Sequence, residues 1–323
     1  MKVLIFGYPV NSKEEVTHCF QMTYLIIKDA LKLIEGVEII ELDIMKKLGS
    51  LAVHPHPTAQ PNKTFLLNMA NELPEADFVI VSDLDLFFVP ETIDVLRRKY
   101  KKVISYLEIG ELCDFSFIFH PLYFKQKPEC CHLLAGPYDE HFYENVPKIP
   151  KTILLDHSCW LENQQAIKDE DRGYVLEKTP SILQWIDELK DEYKIYTLLY
   201  GGNQALYHKK LIPDYVIQIE MCDFASYLKQ TETMETFVIT HKGSYNLSFV
   251  DMLVRGIRII TYDNFIPKFN IERFNIPLYS DKESFLAEIR KPVNTEFWNN
   301  QVQKCSPLSV IAQAFNDYFT GRL

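Results

Sequence analysis

Short apolar runs alternate with stretches of helical periodicity along most of this chain, and that rhythm limits the fold more than any other feature. In the first half the strand-like runs are Lys2–Phe6, Val37–Leu42, Phe78–Ser82, Val103–Leu107 and Phe115–Phe119. Between the first two, Glu15 to Ile34 places apolar residues at helical spacing and stops at Gly36, a residue type that commonly ends helices. Glu91 to Tyr100, begun after Pro90, reads as another helix ending in a basic cluster. Strands separated by helices at this spacing are joined by crossovers, which build a parallel sheet covered on both faces.

The segment "YENVPKIPK" (Tyr143–Lys151) breaks the pattern with two prolines and reads as a linker. The rhythm then restarts with a strand in "KTILLDHS" (Lys151–Ser158), a helix across Pro180–Glu192, a strand at Lys194–Tyr200 and another at Tyr215–Met221. A helix from Asp223 and the apolar run Phe237–Ile239 follow, and Asn294 to Leu323 is mainly helical. A length of 323 residues also suits two domains better than one. The expected fold is α/β, with two Rossmann-like domains whose parallel sheets face each other across a cleft. The expected boundaries are 1–147 for the first domain and 148–323 for the second, with the terminal helices packing back on the first. Ligands of open parallel sheets bind beyond the carboxyl ends of the strands. A cleft lined by strand ends from two domains suits a reaction between two different substrates.

Composition removes several classes of function. A formal charge of −10 excludes the broad basic surface of a general nucleic-acid binder. It leaves room for an anionic small molecule held by a few lysines or by helix N-termini. "MKVLIFGYPV" is too short an apolar run for a secretory signal, and no stretch reaches the roughly 18–20 apolar residues of a membrane span. Seven cysteines without CxxC spacing point to reduced thiols in a cytoplasm, and adjacent Cys130 and Cys131 read as structural. "HPHP" (His54–Pro57) reads as a rigid loop, so no metal and no cofactor is expected.

One stretch carries chemistry. "THKGSYNLSFVDMLVRGIRIIT" (Thr240–Thr261) reads as a strand end, a glycine turn, a helix, a second glycine and a second strand. Ser244, Ser248, Asp251 and Arg255 are spaced by four, three and four, which makes one polar stripe on a helix. A solvated helix face would explain the stripe. A ligand site would explain it equally: Gly243 permits the turn, Ser244 caps the helix, and the free amides around Tyr245, Asn246 and Leu247 take phosphate oxygens. Lys242 adds charge beside the phosphates, and Asp251 lines an open cleft where its carboxylate accepts two hydroxyls of a ribose. A side chain in that position contributes little to fold stability.

This stretch resembles the nucleotide-sugar-binding unit of GT-B glycosyltransferases, in its usual place late in the second domain. The family pattern is a strand, a small-residue turn, a helix with an acidic residue five positions before a glycine, and a strand; Asp251 stands five before Gly256. The resemblance is specific at Gly243–Thr261 and architectural over the rest. Many retaining members carry Glu eight residues before the ribose-binding acid, where this chain has Gly243, and the acid itself is usually Glu. The turn is closer to that of capsule, lipopolysaccharide and teichoic-acid enzymes. Stereochemistry and donor stay open.

The resemblance implies a donor site at other strand ends too: Asp156, His157 and Ser158 near phosphates or leaving group, Gly201 and Gly202 after the second strand, and the main chain around Met221 against the base. Glu108, Glu111 and His120 lie at or just past strand ends of the first domain, as candidate general bases. "FGYPVNS" (Phe6–Ser12) lacks the GxGxxG of a dinucleotide fingerprint, which weakens an oxidoreductase reading. The implied activity moves a sugar from a nucleotide-sugar donor to a glycan or glycolipid acceptor in surface polysaccharide synthesis. The implied location is cytoplasmic, compatible with peripheral association at the inner membrane face. Three alternatives stay open: a polyol-phosphate transferase of the teichoic-acid type, a non-catalytic nucleotide-sugar binder, and a metal-dependent GT-A enzyme using the DxD at Asp83 and Asp85.

Overall fold

Runs of Val, Ile, Leu and Phe too continuous to leave one face in water build the first sheet. The computed structural model describes residues 1–17, 19–43, 73–81, 96–107, 113–118, 128–156, 164–169, 173–178, 182–199, 212–220, 223–239, 247–262 and 268–323. Six strands, β1 (Lys2–Gly7), β2 (Glu38–Asp43), β3 (Phe78–Val81), β4 (Lys102–Leu107), β5 (Phe115–Ile118) and β6 (Cys131–Leu133), pair in the order β2-β1-β3-β4-β5-β6. Every pairing is parallel. Val3, Leu4 and Ile5 on β1 and Val79, Ile80 and Val81 on β3 are buried on successive positions, which requires cover on both faces.

The helix Cys19–Lys32 makes the crossover from β1 to β2, and Gly36 turns the chain afterwards with φ +77°. The terminal helix Leu308–Phe319 belongs to this same unit. Its Phe315 meets Phe117 edge-on with ring centroids 4.6 Å apart, Tyr318 stacks on Phe115 at 4.3 Å, and Phe319 approaches Phe78 at 4.6 Å. The first unit is therefore discontinuous in sequence, comprising Met1–Glu140 and Ser306–Leu323.

The second unit, His141–Cys305, repeats the construction. It holds β7 (Thr152–Leu155), a two-stranded antiparallel hairpin of β8 (Gln164–Asp169) and β9 (Gly173–Lys178), then β10 (Lys194–Leu199), β11 (Ile217–Glu220), β12 (Thr236–Ile239), β13 (Arg258–Tyr262) and β14 (Leu278–Tyr279). The main sheet is all parallel, in the order β11-β10-β7-β12-β13-β14. The chain steps outward from β7 through β10 to β11, then returns to the other side of β7 with β12. That reversal makes the β7/β12 junction the topological switch point, where open α/β sheets bind ligands.

Segment 143–149 is irregular, as its prolines require, and is tied into the second unit. The amide of Ile149 donates to Thr233 O at 2.7 Å, and that of Lys151 to Glu235 Oε2 at 2.8 Å. Arg258 opens β13 from a buried position and caps the helix Lys282–Arg290, donating to the carbonyls of Glu288, Ile289 and Lys291. The helix expected across Pro180–Glu192 is shorter, one turn at Leu183–Ile186 followed by a 3-10 turn at Asp187–Leu189.

Candidate functional site

The switch point of the second sheet brings together the end of β7 and the helix Leu247–Val254 that follows β12. Asp156 ends β7 fully buried, with its amide donating to Val238 O at 3.1 Å. The helix has no solvated face across its middle: Phe249, Val250, Asp251, Met252 and Leu253 are all buried, and Arg255 after them as well. Ser248 is partly buried.

The expectation of an exposed Asp251 on a cleft wall is corrected here: the residue is 3% exposed, and Arg255, one helical turn later, is 2% exposed. The physical reason is mutual neutralisation. Arg255 Nη2 pairs with Asp251 Oδ2 within one helix, so a carboxylate and a guanidinium enter the interior together. Arg255 is held from other directions too. Its Nη1 donates to Thr231 Oγ1 at 2.8 Å and to Leu228 O at 3.4 Å, and its Nε donates to Asp251 O at 3.3 Å.

A second element reaches the same carboxylate oxygen. Tyr227 OH donates to Asp251 Oδ2 at 2.9 Å, and its ring lies 5.7 Å from the Arg255 guanidinium carbon. Tyr227 sits on the helix Phe224–Thr231, whose start is fixed by Asp223 accepting from the Ser226 amide at 2.8 Å. Tyr143 also approaches the carboxylate, yet Asp251 Oδ1 is buried and receives no hydrogen bond of normal geometry. Burial pushes the Asp251 carboxyl above its ordinary range, opposed by the Arg255 charge and by the hydroxyl of Tyr227. Oδ2 is engaged by two donors, and the Tyr143 hydroxyl also lowers the carboxyl's pKa through a hydrogen bond.

Lys148 completes the group. Its Nζ donates to Glu232 O at 2.7 Å, and its pKa is pushed down to about 8, first by burial and then by the nearby Arg255 charge. Gly256 ends the helix with φ +67°, where an added Cβ would collide with Asn299 Oδ1.

Of the residues singled out from the sequence, the structure places Asp156, Ser248 and Asp251. Glu108, Glu111, His120, His157, Ser158, Gly201, Gly202, Met221, Lys242, Gly243, Ser244, Tyr245 and Asn246 lie outside the described residues, as do Asp83 and Asp85. Tyr227, Tyr143 and Lys148 were not foreseen; nothing local connects Tyr227 to a residue twenty-four positions away. One available signal was the apolar character of the helix on every side of Asp251, which marks burial. Among the described residues, no helix is long and apolar enough to cross a membrane.

No family model matches the chain, and no curated protein matches it in sequence. Solved structures do match in fold over the full length. The apo form of the lipopolysaccharide outer core galactosyltransferase WaaB is 13% identical with a TM-score of 0.62, covering 100% of each chain. Anabaena Alr3699/HepE in complex with UDP-glucose is 11% identical with a TM-score of 0.61, covering 99% of this chain and 100% of that one. S. aureus MnaA in complex with UDP is 12% identical with a TM-score of 0.60, covering 100% and 97%. The chain has the GT-B fold, two Rossmann-like units each built on six parallel strands. That architecture sets aside the GT-A alternative built on Asp83 and Asp85.

Proposed function

We propose that this chain is a glycosyltransferase that moves a sugar from a nucleotide-sugar donor to a glycan or glycolipid acceptor, in the synthesis of a surface polysaccharide. One observation carries the reading: the helix that follows β12 holds Asp251 five residues before Gly256, the acidic position of the resembled family, in a chain whose fold matches GT-B structures over its full length. WaaB, a lipopolysaccharide outer core galactosyltransferase, and HepE, solved with UDP-glucose, support the reaction class and the donor type by analogy of fold.

In this reading Asp251 binds the ribose, while Lys242, Gly243, Ser244, Tyr245, Asn246 and Ser248 bind the donor phosphates with Asp156 nearby. Gly201 and Gly202 let the backbone approach the donor, and the main chain at Met221 meets the base. Glu108, Glu111 and His120 are candidates for the base that activates the acceptor hydroxyl, and His157 for the group that assists departure of the nucleotide. The chain acts at the cytoplasmic side, where a glycolipid acceptor would bring it to the membrane face.

The test incubates the purified protein with a panel of nucleotide sugars and follows the released nucleotide by chromatography. Release of a nucleoside diphosphate that depends on an added glycan or glycolipid supports glycosyl transfer. Release of a nucleoside monophosphate would mean Kdo, sialyl or polyol-phosphate transfer, and only a product carrying a new phosphodiester would replace this reading with polyol-phosphate transfer. Donor binding without any release would leave a nucleotide-sugar binder.

A further inference from the structure

The first sheet has a switch point of its own. From β1 the chain steps outward to β2 and returns on the other side of β1 with β3, so the loop after β1 stands where an open parallel sheet takes its ligand. "FGYPVNS" (Phe6–Ser12) supplies that loop, and its sequence alone assigns it no ligand. Tyr8 and Val10 are buried, and Asn11 is exposed. One side chain from the next helix holds this stretch. Lys28, 6% exposed on the helix Cys19–Lys32, meets each of its three ammonium donors with an acceptor: Glu41 Oε1 on β2 at 2.9 Å, Asn11 Oδ1 at 3.1 Å and Val10 O at 3.4 Å. Tyr24, one turn earlier on that helix, donates to Glu41 Oε2 at 2.8 Å, and the amide of Asn11 donates to Glu15 Oε2 at 2.9 Å. A buried ammonium needs a counter-charge, and Glu41 supplies it. The other two donors go to the loop, so burying the charge and fixing the loop are one event. Val10 and Asn11 cannot shift without leaving a desolvated ammonium proton unpaired.

We propose that Lys28 is a positioning residue for the acceptor: it touches no ligand, and it holds the β1 loop at the switch point of the first sheet in the shape that receives the acceptor. The proposal rests on the glycosyl-transfer reading above and adds to it a residue of the first unit, acting on a loop which that reading leaves without a role. It also accounts for a charged side chain carried inward among Leu25, Ile27 and Leu31, all buried on the same helix.

The experiment compares the full chain with its variants Lys28→Met/Glu41→Gln and Asn11→Ala. The double variant removes both charges and keeps an acceptor for the Tyr24 hydroxyl, so no unpaired charge is buried. Asn11→Ala changes an exposed residue and removes one anchor from the loop side. Hydrogen exchange of the backbone amides between residues 8 and 16 is read against that of residues 3–6 on β1. Calorimetry reads UDP affinity, and turnover is nucleotide release from UDP-glucose or UDP-galactose with octyl glucoside and octyl galactoside as acceptor probes. Both variants should melt close to the wild type and bind UDP as well as it does. Their loop amides should exchange about tenfold faster while those of β1 do not, and turnover should fall about tenfold, as the loss of a hydrogen bond to a charged group implies. Loop exchange and turnover at wild-type levels in the double variant would make Lys28 half of an ion pair and nothing more, and would overturn the proposal. Faster loop exchange with full turnover would overturn it too, because the loop would then be held to no effect on the reaction. Should the double variant not fold, Asn11→Ala decides by the same two readings. If the wild type releases nucleotide with none of the probes, the transferase reading loses its support, whereas the exchange comparison still decides whether Lys28 holds the loop.

Discussion

Asp251→Asn separates the buried ion pair from an exposed carboxylate more directly than any other substitution. The variant keeps side-chain size and removes the charge. Arg255 stays 2% exposed, with its bonds to Thr231 Oγ1 and Leu228 O and the Nε contact to the carbonyl of residue 251, but its counter-ion is gone. Breaking a buried pair by removing one partner costs about 3–5 kcal/mol. The surviving bonds place this case near about 3 kcal/mol, which for a unit of this size lowers the melting temperature by about 6–12 °C. Urea unfolding at neutral pH, following the transition of the second unit, measures the loss. A double variant, Asp251→Leu with Arg255→Met, should recover most of it, because an apolar pair of similar volume replaces both charges. A loss below about 1 kcal/mol for Asp251→Asn would show that the carboxylate is not ionised against Arg255, and the clamp on Oδ2 would lose its basis.

Three further outcomes are expected. Gly256→Ala should cost about 1–2 kcal/mol from the positive φ alone, and more once Asn299 shifts aside, read as a lowered urea midpoint. Lys148 has a folded pKa of about 8, below its unfolded value, so the unfolded chain binds more protons between there and the ordinary lysine range. The wild type should therefore gain stability relative to Lys148→Met as pH rises through that window, and a flat difference would contradict the burial of its ammonium. Phe315→Ala should destabilise the first unit by about 3–5 kcal/mol, since the ring is fully buried against Phe117 and Tyr106. An effect confined to the second unit would contradict the place of the terminal helix.

Most of the architecture was legible because parallel sheets advertise themselves. Val3 to Phe6, Val79 to Val81 and Phe237 to Ile239 are buried on consecutive residues, and only a strand covered on both faces needs such runs. What stayed hidden was short or polar. β14 spans two residues, and β8 with β9 pairs sequences as polar as "QQAIKD" and "GYVLEK". The helix Lys282–Arg290 is announced mainly by its cap, where Asp281 and Ser284 exchange hydrogen bonds across the first turn.

The pairing of Asp251 with Arg255 was legible from their spacing, and its environment was misread. Asp251 followed by Arg255 is the spacing of an ordinary surface ion pair, worth a few tenths of a kcal/mol on an exposed helix, and a stripe of such residues reads naturally as a wet face. The neighbours decide otherwise. Phe249, Val250, Met252 and Leu253 leave the helix no polar side to present, so the pair is carried inward with them. Once inside, its value changes: the same two charges become costly to separate. Tyr227 steadies the same carboxylate oxygen from another helix, so the pair is held by a contact between two helices that no local pattern encodes.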